Sequence, residues 1–315
     1  FSVEGRTFPV GSLLIRSVAL DEEAHSSLAL MAKRHSADVV PVDTSFPSGE
    51  GISLGSNQFN SLERPRVLLV WGEPASTYST GWARYVLERR YGVDVTAVRS
   101  DALGRVALSE FNVLVLPSGN FASVFREEGR ARLEDWIARG GTLITLAESS
   151  RWATRAGLLA TTTELRGGAP DEPGAAATRP PADQPIEFLE AIEPPVERPE
   201  PVPGAILRVT LDETHWLAAG TDGEVQILAE SNRIFSPLTL NRGTNVGRYA
   251  GLERLVASGV VWEDTRAQLV NKAYLMHEPR GQGQVIGFSE DPNYRAYSEA
   301  SQLLFINAVL LGPGF

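Results

Sequence analysis

Two serines, three carboxylates and a histidine are the side chains in this sequence whose types and spacing best fit chemistry. Ser149 and Ser150 close the apolar run GTLITLAESS (Gly141 to Ser150), where a sharp turn out of a buried strand would expose a hydroxyl as a nucleophile. Such a serine needs a base within hydrogen-bond reach and donors for the developing oxyanion. His277 is the candidate base, on a strand whose placement the sequence does not fix. The competing and preferred reading is that Ser149 or Ser150 caps a helix beginning at Arg151. Glu148, Glu290 and Asp291 are expected near the same edge of the sheet. A carboxylate pair there suits glycoside or metal chemistry, but arginines such as Arg151 or Arg295 can equally neutralise them, and Asp291-Pro292 also reads as a turn start.

Other motifs carry less. His277 and Glu278 are adjacent on a strand and point to opposite faces, so they do not converge on one metal ion. Gly281-x-Gly283 with Gly287 precedes a strand instead of joining strand to helix, which makes it a hairpin turn and not a dinucleotide fingerprint. No metal site and no cofactor site is expected within this chain. Trp71, Tyr78, Trp82, Trp152, Trp216 and Trp262 could build an aromatic platform for a sugar or a peptide. Trp82 and Trp136 fall on inward helix faces and are expected in the core, whereas Trp71 and Tyr78 sit beside the expected cleft.

The elements that must position these groups run from Arg66 to Ser150, as strand, helix, strand, connection, strand, helix, strand. RVLLVW (Arg66 to Trp71), NVLVLPSGN (Asn112 to Asn120) and GTLITLAESS are the short, nearly continuous apolar runs of strands buried on both faces of a parallel sheet. Between them, Trp82, Tyr85, Val86 and Arg89 share one helical face, as do Leu133, Trp136 and Ile137, and Gly140-Gly141 stops the second helix. Alternation of this kind gives βαβ units with right-handed crossovers. Ligands of such sheets bind outside the strand carboxyl ends. The expected cleft is therefore lined by Trp71, Tyr78, Ser118, Asn120, Glu148, Ser149, Asp291 and Arg295.

Upstream, Phe1 to Ile15 reads as two short strands around a turn at Gly5, with a second turn near Pro9 to Gly11. Asp21 caps a helix to about Arg34 with Leu28, Met31 and Ala32 inward, ADVVPVDT (Ala37 to Thr44) reads as a strand, and the Gly- and Ser-rich stretch to Ser61 is a boundary loop. Downstream, ten of the chain's twenty prolines lie between Pro170 and Pro203, so residues 167–204 form an extended insert. From Ala205 the strand pattern returns in AILRVTL, EVQILAE and GVVW, then a hairpin and last buried strand in GQGQVIGFSED (Gly281 to Asp291). A helix from about Tyr294 to Leu311 closes the sheet with Ala300, Leu303, Leu304, Ala308 and Leu311. The division is 1–62 as a small α/β segment continuing from an upstream domain and 63–315 as the main α/β domain.

Composition bounds the function. A formal charge of -10 and a pI near 5.1 with no basic run argue against nucleic acid or an anionic membrane surface as partner. The chain has 0 cysteines, which removes thiolate nucleophiles, disulfides and Cys-ligated zinc. No apolar run approaches a membrane span, so no membrane insertion is expected. Beginning at Phe1 without Met, the chain is expected to be a processed or excised piece.

The order RVLLVW, VLVLPSGN, ARGGTLITLAESS resembles the class I glutamine amidotransferase-like fold, which implies a flavodoxin-like parallel sheet. In that family a Pro-Gly-Gly oxyanion turn ends the middle strand, and Pro117-Ser118-Gly119 matches it loosely. A Gly-x-Cys-x-Gly elbow ends the later strand, where this chain has Ala147-Glu148-Ser149. The family's histidine would follow the last strand, where this chain has Phe288-Ser289-Glu290-Asp291-Pro292. No catalytic residue carries over. Such domains also occur as the middle domain of some β-galactosidases, which implies a carbohydrate-binding or sugar-processing alternative.

A second resemblance, to the region that follows the peptidase domain in certain large bacterial proteins of the zinc carboxypeptidase (carboxypeptidase A-like) family, rests on several segments. They are GRTFPVGSLLI, EGISLGSN, STGWARYVLERRYG, GRYAGLERLVASGVVW, GQGQVIGFSEDPNYR and LLFINAVLL. It implies an exported, secreted or periplasmic location, an upstream peptidase domain as partner, and zinc held only in that domain. His25, His35, His215 and His277 lack the His-x-x-Glu context of its zinc site. The expected function is thus a non-catalytic accessory module, structural, oligomerising or ligand-binding. The rivals are a serine hydrolase using Ser149 with His277 and a carbohydrate module.

Overall fold

The computed structural model describes residues 1–48, 52–56, 59–165 and 204–315. The insert expected at 167–204 falls, Gly204 apart, outside the described residues. The chain divides into two compact units, Phe1–Ser61 and Leu62–Phe315. In the first, β1 (Ser2–Val3) and β2 (Arg6–Thr7) form a hairpin, and the Asp21 carboxylate caps α1 (Glu22–Arg34) by accepting from Ala24 N–H at 2.7 Å. Glu22 and Glu23 in the first turn and Lys33 and Arg34 in the last complement the helix dipole. Two expectations fail here. Residues 37–44 form no strand, and α1 buries none of its residues, Met31 being 55% exposed. Val3 is the one buried apolar side chain among this unit's described residues, so propensity and capping, not packing, define its helix.

The second unit is built on one mixed sheet. β3 (Val67–Trp71), β4 (Val95–Arg99), β5 (Val113–Leu116), β6 (Thr142–Leu146) and β14 (Gly283–Phe288) are parallel, in the order β14-β6-β5-β3-β4. The runs VLLV, VLVL, TLITL and GQVIGF are buried along their whole length because helices cover both faces. Alternation divides them: Val67, Leu69, Val113, Val115 and Ile144 pack with the C-terminal helix on one face. Leu68, Val70, Leu114, Leu116 and Leu143 pack on the other with α3 (Glu127–Ala138) and α4 (Glu148–Arg155).

Beyond β14 the sheet turns antiparallel through β13 (Ala273–Arg280), β11 (Thr244–Tyr249), β8 (Ala205–Leu211) and β12 (Val256–Ser258). β9 (Glu224–Ala229) pairs with β8, while β10 (Arg233–Phe235) joins β13 to β7 (Thr163–Leu165). β8 alternates buried and half-buried residues, the mark of a sheet with one covered face. β13 and β14 form the hairpin expected at Gly281. α5 (Glu263–Leu269) is short, and α6 (Glu299–Leu311) is capped by Ser298 and lies against the parallel strands.

Three expectations shift. α2 (Thr77–Arg84) continues into a π turn, Tyr85–Arg90, and buries Ser79, Thr80, Ala83, Val86 and Leu87, so of the expected Trp82, Tyr85, Val86, Arg89 face only Val86 is buried. Small residues let this helix lie close to the sheet, and Trp82 turns sideways to half-burial. The strand near GVVW is Val256–Ser258, ended by Gly259 at φ 92°. The last helix starts at Glu299, since Arg295 and Ala296 have positive φ. No helix among the described residues is long and apolar enough to cross a membrane.

Candidate functional site

β6 ends at Leu146 and α4 begins at Glu148, so Ala147 alone must redirect the chain, and it does so with φ 52° and ψ −110°. A residue with a Cβ pays roughly 1–3 kcal/mol for such a conformation. The turn is held by Ala147 N–H donating to Phe288 O at 2.9 Å on β14, and by Ser150 and Arg151 N–H donating to Ala147 O. A strained residue at a strand-to-helix apex is the geometry of a nucleophile elbow, and here the apex bears a methyl group.

The serines expected at that position point elsewhere. Because the helix starts at Glu148 and not Arg151, Ser149 and Ser150 lie inside its first turn, both 0% exposed. Ser149 Oγ accepts from Leu146 N–H at 2.7 Å and donates toward Leu116 O at 2.7 Å. Ser150 Oγ donates to Phe288 O at 2.7 Å. They pin α4 to the strand layer and neither caps a helix at Arg151. His277 is engaged elsewhere, its Nδ1 lying 2.9 Å from His215 Nε2.

A cleft of about 330 Å³ opens beside Ala147, at the carboxyl ends of β3, β5, β6 and β14. The connection from β3 runs outward to β4, while β5 lies on β3's other side, so the sheet order reverses at this point and the crevice is a topological switch point. Of the residues expected to line it, Tyr78, Ser118, Glu148 and Asp291 do. Trp71 instead lies beneath the Arg99 guanidinium, 5.0 Å from its ring centre, and Asn120 caps a short turn by accepting from Ala122 N–H. Arg295 lies over the Tyr294 ring, and Ser149 is buried.

The cleft's polar groups are wired together from four elements. Ser79 Oγ, on α2, donates to Asp291 Oδ2 at 2.5 Å and accepts from Ser118 N–H at 3.0 Å. Ser118 Oγ in turn accepts from Glu148 N–H at 3.4 Å. The backbone N–H groups of Ser118 and Glu148, which would face an oxyanion at an elbow, are thus satisfied by the protein's own hydroxyls. Gly119 follows because a Cβ there would stand 2.4 Å from Pro74 O. Glu148 lies between Arg151 and Arg233, each 2.8 Å away, and Glu290 accepts from Ser231 Oγ at 2.8 Å. Burial raises the Asp291 pKa to about 6, opposed by the bonds from Ser79 and Asn293 N–H and reinforced by Glu230. Glu230 is itself pushed up by burial against the pull of Arg295.

Ser79, Ala147, Glu230, Ser231 and Arg233 are among the site residues that sequence reasoning did not single out. A non-glycine elbow had no local signal, and Arg233 reaches Glu148 only through the pairing of β10 with β13. Glu278 is structural: buried, it accepts from Ala160 N–H at 2.6 Å and from Arg280. Among the described residues no group of three or more His, Asp and Glu could hold a metal ion. A wider hollow of about 740 Å³ lies at the amino ends of the strands. Its Arg132 and Arg66 are spent on backbone carbonyls of Gly104, Leu103, Val106 and Glu110, so the switch-point cleft is the stronger candidate.

No protein-family model and no curated protein matches the chain. Among solved structures, it is similar to a ThuA-like protein from Parabacteroides merdae at 13% identity and a TM-score of 0.50, over 80% of this chain and 90% of that one. It is also similar to PurLQS from Thermotoga maritima (14% identity, TM-score 0.48, 78% and 98% covered). A glutamine amidotransferase from Thermotoga maritima matches at 9% identity and a TM-score of 0.45, over 73% and 77%. These likenesses concern the fold alone, which is mixed α/β with a flavodoxin-like, class I glutamine amidotransferase-type parallel core. They do not address a carboxypeptidase parent.

Proposed function

We propose that this chain is a non-catalytic accessory module that binds a ligand in the switch-point cleft. The observation that carries the reading is the methyl group of Ala147 at the apex of the elbow. A covalent mechanism at that position needs an oxygen or sulfur nucleophile, and alanine supplies neither. The satisfied N–H groups of Ser118 and Glu148 argue the same way, because an oxyanion would first have to displace two hydroxyls. The burial of Ser149 and the pairing of His277 with His215 weigh against the serine-hydrolase alternative.

The resemblance of GRTFPVGSLLI, GRYAGLERLVASGVVW and GQGQVIGFSEDPNYR to the region after the peptidase domain of zinc carboxypeptidase-like proteins supports a finer reading. In it the module serves an exported metallopeptidase whose zinc and active site lie in an upstream domain, and homo-oligomerisation is a further role open to it. The histidines of this chain lack the His-x-x-Glu context of that zinc site, and among the described residues no group of three or more His, Asp and Glu could hold the ion.

The test treats the chain with a fluorophosphonate probe, an iodoacetamide probe, and ester, amide and glycoside substrates. Neither labelling nor turnover is expected. Ala147→Cys should become labelled by iodoacetamide at that position, which checks that the apex is reachable. Turnover by the unaltered chain that vanishes on replacing Ser149 would overturn the reading. For the parentage, a longer polypeptide carrying this chain should release C-terminal residues from peptides in a chelator-sensitive way.

A further inference from the structure

The rim of the cleft is aromatic. Tyr78 and Trp82 both line it, their rings 5.9 Å apart and within 27° of parallel, and Tyr294 stands edge-on to Trp82 at 4.6 Å. Tyr78 is 72% exposed, so its ring face is open to a ligand at no cost in rearrangement. Trp82 is fixed in orientation by its two neighbours, and preorganised aromatic faces spare a ligand the entropy of ordering them.

The polar wall opposite is dense, and its groups already have partners within the protein. Glu148 is held between Arg151 and Arg233, Glu290 accepts from the Ser231 N–H and hydroxyl, Asp291 accepts from Ser79 and Asn293, and Glu230 feels Arg295. An anionic ligand would meet the carboxylates of Glu148, Glu230, Glu290 and Asp291, and a cation drawn to Glu148 would have to displace Arg151 or Arg233 and leave it uncompensated, which is costly in a half-buried site. A neutral ligand need not. Paired carboxylates keep lone pairs for further donors, and serine hydroxyls both donate and accept. One flat apolar face and a rim of donor-acceptor groups is the surface of a pyranose, with its C–H face and its ring of hydroxyls. The volume of about 330 Å³ falls at the small end of ligand pockets. An extended peptide is the poorer fit, because it is held by an open strand edge and the strands over this cleft are central.

We propose that the cleft binds a neutral hexopyranose-type sugar stacked on Tyr78 and Trp82, its hydroxyls meeting Ser118, Glu230 and Arg233. This rests on the reading of the chain as a ligand-binding module. The test follows tryptophan fluorescence of the whole chain during titration with methyl glucosides, methyl galactosides, N-acetylglucosamine and cellobiose, beside lysine, glutamate and triproline. At least one neutral sugar is expected to give a saturable change. Tyr78→Ala should weaken its binding about tenfold while leaving the melting temperature in place, since Tyr78 is exposed, and Trp82→Ala should weaken it at least as much. Saturable binding of lysine, glutamate or triproline, lost in Tyr78→Ala, with no response to any sugar, would overturn the sugar assignment and leave the ligand-binding reading standing. No saturable response to any probe would overturn both. Chemical conversion of a bound sugar would sink the non-catalytic reading and leave the sugar assignment intact.

Discussion

Ser79 Oγ donates to Asp291 Oδ2 at 2.5 Å and accepts from Ser118 N–H at 3.0 Å, so one hydroxyl on α2 joins the ends of β5 and β14. Ser79→Ala would leave the half-buried Ser118 N–H without this partner and Asp291 without its shortest bond. A loss of about 1–3 kcal/mol in urea denaturation is expected. The Asp291 carboxyl should also titrate higher in a ¹³C NMR experiment, since the Ser79 bond is the larger of the two that oppose the rise caused by burial.

Asp291 makes stability depend on pH in an unusual direction. Its carboxyl holds a proton to about pH 6 in the folded chain against an ordinary value of 3.8, so between those values the folded state binds more protons than the unfolded one. Its contribution is complete below pH 3.8 and is lost as pH rises through 6. Asp291→Asn should remove that fall, so its stability relative to the unaltered chain should climb across this window and level off above it. A difference that stays flat from pH 4 to 7 would contradict the assignment.

His215 and His277 act with the opposite sign. Burial lowers the pKa of both, that of His215 to about 4 from 6.5. Leu217 N–H donates to His215 Nδ1, so His215 Nε2 carries the proton and donates to His277 Nδ1 at 2.9 Å. Protonating either ring breaks this wire. The unfolded chain takes up protons first, so stability is full above pH 6.5 and falls as pH drops toward 4. His215→Gln should flatten that decline, read as the midpoint of urea unfolding against pH.

The backbone of Ala147 gives a prediction free of titration. At φ 52° and ψ −110°, glycine is the residue least strained, so Ala147→Gly should cost nothing or stabilise by up to about 1 kcal/mol. Ala147→Val should destabilise by about 2 kcal/mol or more, because a branched Cβ has no comfortable rotamer there. Equal effects of the two in chemical denaturation would mean that the turn is not held as described.

Much of the scaffold was legible in local pattern. The apolar runs of β3, β5, β6 and β14, the Asp21 cap, the hairpin at Gly281 and the Ser118, Glu148 and Asp291 strand ends all follow from residue type over a few positions. The misses were also local in origin. Large residues suggest one face for α2 while the helix packs by its small ones, and the helix expected to begin at Arg151 behind a serine cap begins at Glu148, with Ala147 at the apex of the turn.

The sequence alone determined that a buried parallel sheet would form and that polar groups would gather at one end of it, because burial of continuous apolar runs and the handedness of their crossovers leave few other arrangements. Only the tertiary structure decided which of those groups meet. Ser79 finds Asp291 across 212 residues and His215 finds His277 across 62. Contacts of that kind depend on strand register and on where a helix begins to within one residue, and a shift of one residue turns a hydroxyl from the cleft into the core.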